Sequence, residues 1–238
     1  DIMRTAGKVT AEILEKLESF IKPGVSTMDI DRFVEEFIRK KEMVPSFKGL
    51  YDFPASACVS VNEEVVHGIP SEKRTLQEGD IVSVDTGATY KGYVSDAART
   101  YGVGTISPEA RHLIDTARDS FFEGLKFCKV GYRLSDISHA IQEKVESEGF
   151  GVIRDFVGHG VGRDMHEDPQ IPNFGAPGRG PRLAKGMVFA IEPMITQGSY
   201  EVETLLDNWT VVTLDGKLAA HYENSVVITD GEPELLTL

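Results

Sequence analysis

The chain has 238 residues, 41% of them hydrophobic, with no long apolar run and no signal-like start; this describes one large globular domain or two intimate halves and excludes a membrane-spanning segment. A formal charge of −13 without a basic cluster argues against nucleic acid as a principal ligand, because phosphate binding needs concentrated Lys and Arg. Two cysteines, Cys58 and Cys128, are too few for a disulfide framework and fit a reducing cytoplasm.

The chain opens inside a helical pattern, with Ile2, Val9, Ile13, Leu17 and Phe20 on one stripe, as though a few residues preceded Asp1. Residues 20–39, FIKPGVSTMDIDRFVEEFIR, read as a glycine turn, a Ser or Thr cap and a helix with Ile30, Phe33, Val34, Phe37 and Ile38 at helical spacing. Residues 81–100, IVSVDTGATYKGYVSDAART, read as a hairpin turning around Thr89–Gly92. Strand alternation places Asp85 and Asp96 on one face, directly opposite or on a near diagonal, where like charges repel.

Residues 127–146, FCKVGYRLSDISHAIQEKVE, repeat the pattern of 20–39 at an offset of 107, with six identities including Gly24/Gly131 and Asp29/Asp136. Two unrelated capped helices would be the plainer account, but the same offset also aligns LQEGDIVSVD (76–85) with LAKGMVFAIE (183–192), setting Asp85 on Glu192. Two similar halves, about 1–106 and 107–238, follow, joined in one domain. The second hairpin would return through AHYENSVVIT (220–229), with Glu223 in the place of Asp96. Strands grouped with helices on one side predict an α+β sheet covered on one face by helices.

A two-fold arrangement brings Asp85, Asp96, Glu192 and Glu223 toward one axis. Single acids of this kind are usually solvated, but converging carboxylates in an apolar sheet require cations, since unpaired buried charge costs several kcal/mol per ion. Glycines 158, 160 and 162 flank His159 and let the backbone approach closely with the imidazole reaching inward. His166, seven residues on, is a second functional group or a structural histidine. The stretch has neither Walker spacing nor the second histidine of a helical zinc-protease motif. One histidine among carboxylates suits Mn, Fe, Co or Zn in a two-metal site able to share and activate a hydroxide and polarise a carbonyl, which is hydrolase chemistry. His112, His139 and His221 carry no assigned role.

The motifs VVHGIP (65–70), VDTGATYKGYVSDAART (84–100), GHGVGRDMHEDPQIPN (158–173), VFAIEPMI (188–195) and HYENSVVIT (221–229), in this order, resemble those of type I methionine aminopeptidases. The resemblance implies the pita-bread fold across a single catalytic domain, 1–238. It implies Asp85, Asp96, His159, Glu192 and Glu223 as ligands of two divalent ions (Co, Mn, Fe or Zn), with Asp96 and Glu223 bridging. A metal-bridged hydroxide would attack the scissile carbonyl, and a metal would hold the free α-amino group. His166 would bind the carbonyl or its oxyanion, His67 would lie near the scissile nitrogen, and Glu192 would shuttle the proton to the leaving amine.

By the same resemblance the methionine pocket is formed by Phe53, Cys58, Met165 and Trp209 with Leu50 at its rim, apolar and polarizable walls that suit a thioether. Leu50 and Phe53 stand where tyrosines are common in the family, and Met165 where phenylalanine is, so the rim should be more apolar. The implied substrate is the initiator methionine of nascent chains with a small second residue. The implied protein is a cytoplasmic monomer compatible with ribosome association. Proline-specific relatives resemble a longer chain, type II enzymes carry an insertion for which there is no room here, and a binding protein that had lost catalysis would not need all these acids and histidines.

Overall fold

Residues 57–61, ACVSV, and 81–86, IVSVDT, each alternate a valine face with a face of Cys, Ser and Asp. The computed structural model, which describes residues 1–238, pairs them antiparallel with Cys58 opposite Asp85. The Ala97–Gly102 strand adds to the other edge with Ala98 opposite Asp85, and Glu223–Val227 follows with Glu223 opposite Ala98. Val188–Ile191, Gly158–Gly160 and Glu167–Ile171 extend this sheet in turn, and Glu234–Leu235 pairs with Glu223–Val227 to give eight strands.

The valine face is covered by α1 (Ile2–Phe20) and α2 (Thr27–Lys40), where Val9, Ile13, Leu17, Ile30 and Val34 pack on Val59, Val82 and Val84. In the second half α3 (Pro108–Leu125) and α4 (Leu134–Ser147) bring Leu113, Phe121, Ile137 and Ile141 onto Phe189, Ile191 and Val226. Burying these side chains contributes about 1.5–3 kcal/mol each. The result is an α+β pita-bread fold, a curled antiparallel sheet with helices on one face. Ile2 and Phe20, at the ends of the α1 stripe, are only half-buried.

Hydrogen bonds recur at the spacing of the sequence motif. Thr27 N–H donates to the Arg74 carbonyl at 2.9 Å and Leu134 N–H to that of Pro181 at 3.0 Å; Leu76 N–H donates to Val25 at 2.8 Å and Leu183 N–H to Tyr132 at 2.9 Å. The caps differ. Ser26 caps α2 in a box with Asp29, but α4 has no hydroxyl cap: its N-cap is Arg133, whose N–H donates to Asp136. Ser135 lies inside the first turn and accepts the Arg179 N–H instead.

The expected hairpin over 81–100 turns at Lys91–Gly92, both with positive φ (47° and 78°), the two-residue turn whose twist matches its strands. It is not continuous, however. Ala88–Tyr90 and Tyr93–Val94 leave the main sheet to join Val44–Pro45 in a separate three-stranded sheet. The break falls where a Cβ on Gly87 would meet the Ser95 carbonyl at 2.2 Å, a contact only glycine allows. The bend aims Asp96 back toward Asp85.

Candidate functional site

Directly opposed residues share a face, so the register lays Cys58, Asp85, Ala98 and Glu223 in one row across neighbouring strands. Asp96, two residues before Ala98, falls on the same side and on the near diagonal from Asp85. Glu192 follows Ile191 on the side of Ala190, and His159 lies opposite Ala190. Fully buried Ala98 and Ala190 leave room between their charged neighbours.

His159 is aimed by its backbone. A Cβ on Gly158 would come within 2.4 Å of the Ala190 carbonyl and one on Gly160 within 2.5 Å of that of Asp168, so the strand can approach only with glycine on either side. His159 Nδ1–H donates to the Gly160 carbonyl at 2.8 Å, which turns the Nε2 lone pair toward the acids, 3.5 Å from Asp96 Oδ2 and 3.4 Å from Glu192 Oε1.

The acids are short of partners. Asp85 Oδ1, Asp96 Oδ1 and both Glu223 carboxylate oxygens are buried without a hydrogen bond. Burial, with mutual repulsion, raises Asp85, Glu192 and Glu223 well above the usual carboxylate range, and burial pushes Asp96 up to about 8. An imidazole and several carboxylates with orphaned oxygens fit hard or borderline divalent cations, and two overlapping donor groups, Asp96–His159–Glu223 and Glu192–His221–Glu223, have ligand atoms within 4.8 Å of one another. Cys58 shares the row, but burial beside the acids pushes its thiol up, so it stays protonated and serves as wall.

His221, given no role from sequence, is fully buried, with Nε2 at 3.6 Å from Glu192 Oε2 and 3.8 Å from Glu223 Oε2. Its signal was present in the spacing: two residues before Glu223, strand alternation puts it on the same face.

Beside the acids opens a cavity of about 290 Å³ lined by Phe47, Leu50, Tyr51, Phe53, Cys58, Met165 and Trp209, together with His67, His166, Asp85, Asp96, His159 and Glu192. That is the low end for small-molecule sites and suits a single side chain. Every residue expected at the site thus converges here, with Glu223 beneath the others; Phe47 and Tyr51 had not been expected. Phe53 meets Trp209 edge-on with centroids 5.0 Å apart.

His67 has φ 60°, a strained backbone just beyond the Glu64–Val66 strand, and its ring is wedged edge-on between Phe156 (5.4 Å) and Trp209 (6.2 Å). The His166 ring lies 4.5 Å from that of His159. Burial, helped by the neighbouring imidazole in each case, pushes His67 and His166 down to about 4, so both are neutral near pH 7. A neutral imidazole N–H beside a cation-binding acid cluster and an apolar pocket can polarise a carbonyl for hydrolysis.

A family model described as Metallopeptidase family M24 matches residues 1–230. The chain is 59% identical to the methionine aminopeptidase of Clostridium acetobutylicum over 100% of this chain and 95% of that one, and 54% identical to methionine aminopeptidase 1 of Bacillus subtilis over 99% and 95%. The crystal structure of methionine aminopeptidase from Thermotoga maritima superposes with a TM-score of 0.98 at 49% identity, covering 99% of this chain and 95% of that one. The chain therefore belongs to metallopeptidase family M24, in its methionine aminopeptidase branch.

Proposed function

We propose that the chain removes the N-terminal methionine from nascent proteins and peptides with a small second residue. The observation that carries this reading is the cluster of buried acids with orphaned oxygens opening onto an apolar, side-chain-sized pocket. Asp85, Asp96, His159, Glu192 and Glu223 would hold two divalent ions, Co, Mn, Fe or Zn. Such ions supply a water acidified to neutral pH and a Lewis acid for the scissile carbonyl.

The chain's own residues do the rest. Phe53, Cys58, Met165 and Trp209, with Leu50 at the edge, take up the methionine side chain and exclude water. The His166 N–H donates to the carbonyl oxygen as it gains charge, and His67 lies near the scissile nitrogen. A Glu192 oxygen accepts the proton of the attacking water and returns it to the leaving amine. The division into two similar halves within one catalytic domain, 1–238, is part of this reading, because each half contributes acids. Two unbridged, buried thiols support a reducing cytoplasm, where a monomer would meet nascent chains near the ribosome. No helix is long and apolar enough to cross a membrane.

The test is release of methionine from Met-Ala-Ser by metal-stripped protein reloaded with one cation at a time. Activity should be lost on stripping and return with specific ions; release that persists without metal would overturn the reading.

A further inference from the structure

The pocket has a direction. Its floor is closed, with Phe53, Cys58 and Met165 exposed by 4%, 5% and 6%, whereas Tyr51 at its edge is 68% exposed. With the methionine side chain on that floor, the residues after the scissile bond have to leave toward solvent, across the edge where Tyr51 stands. The Tyr51 ring is stacked on His166, centroids 5.8 Å apart and planes at 24°.

Backbone preference does not put a tyrosine there. Tyr51 has φ 49° and ψ 33°, and Asp52 and Gly49 also have positive φ, 69° and 85°. A bulky residue in the left-handed region carries strain that glycine would not. The segment is held in this shape from both ends: Gly49 N–H donates to Phe53 at 2.8 Å, Phe53 N–H to Leu50 at 2.9 Å, and Lys48 Nζ to Glu35 at 2.6 Å. An exposed aromatic ring, held against strain and stacked on the imidazole next to the acid cluster, is a surface built for contact.

We propose that Tyr51 is a specificity-determining residue that contacts the substrate beyond the scissile bond, its exposed ring, stacked on His166, bordering the path of the second and third residues. The contact rests on the aminopeptidase reading and sharpens its substrate to peptides longer than two residues.

Tyr51→Ala, Tyr51→Phe and Tyr51→Gly are compared with the parent on Met-Ala and Met-Ala-Ser. Binding of each peptide is read separately from the fluorescence of Trp209, the only tryptophan. Tyr51→Ala should raise KM for the tripeptide about tenfold more than for the dipeptide, while Tyr51→Phe stays close to the parent on both. Tyr51→Gly, relieved of strain but freer when unfolded, should melt within a few degrees of the parent although it binds the tripeptide less tightly. Equal losses on both peptides with a lowered melting point would make Tyr51 a structural residue and overturn the proposal. If the metal-loaded parent releases methionine from neither peptide, the aminopeptidase reading fails; unchanged tripeptide affinity in Tyr51→Ala would separately remove the contact.

Discussion

His166 is exposed at the mouth of the site, yet its ring touches His159 on one side and Tyr51 on the other. It serves the carbonyl and holds no cation on the reading above, so His166→Ala should keep its full metal content by mass spectrometry of the washed protein while kcat falls about 10²–10³-fold. Equal loss of metal would make it a ligand. At this scale the sequence was legible wherever a side chain's chemistry and its strand parity coincided, as for Asp85, Asp96, Glu192 and Glu223. His221 obeyed the same parity but was passed over, because a histidine beside a strand gives no sign of its depth. Tyr51 was hidden for another reason: its importance lies in a positive φ, which no composition or periodicity reveals.

Among the elements, the segment from Ser46 to Ser56 lines the pocket with Phe47, Leu50, Tyr51 and Phe53, and α2 anchors it. Asp31 accepts the N–H groups of Ser56 and Ala57, and Glu35 accepts from Lys48, Arg39 and the Ser56 hydroxyl. Lys48 first, then Arg39 and Ser56, pull Glu35 from its ordinary 4.5 down to about 2. A carboxylate whose pKa is lower folded than unfolded stabilises above the unfolded value, and that stability is lost as pH falls through the folded one. Glu35→Gln should therefore cost about 1–2 kcal/mol at neutral pH, by urea unfolding, with the gap closing as the pH falls from 4.5 toward about 2. A gap independent of pH would mean that shape, not charge, makes the anchor. The helices, the antiparallel pairing and the 107-residue recurrence were readable because hydrophobic period and glycine turns carry them. The split of the 81–100 hairpin was not, since it depends on the Gly87 backbone meeting Ser95 across the turn.

For the whole molecule, the acid cluster sets a pH dependence of the opposite sign. Asp96 titrates at about 8 in the fold and near the ordinary carboxylate value when unfolded, so between these the unfolded chain gives up a proton that the native one keeps. His67 and His166, held at about 4, act in the opposite sense up to the ordinary imidazole value, so the net stability of the metal-free protein should decline as pH rises from about 6.5 to about 8. A divalent cation removes the repulsion, so Mn²⁺ against EDTA should raise the calorimetric midpoint more at about pH 8 than at about pH 5. Equal shifts would show that the cluster is not where the ion binds.

The row of Cys58, Asp85, Ala98 and Glu223 also acts as a proofreader of strand pairing. Slipping the Ile81–Thr86 strand by one residue would turn Asp85 into the helical layer and expose Val84 on the other side, stranding a carboxylate in oil at a cost of several kcal/mol. Residues poised for chemistry thus penalise misregistered folds as well, and a chain that finds its correct pairing has, in the same event, assembled its site.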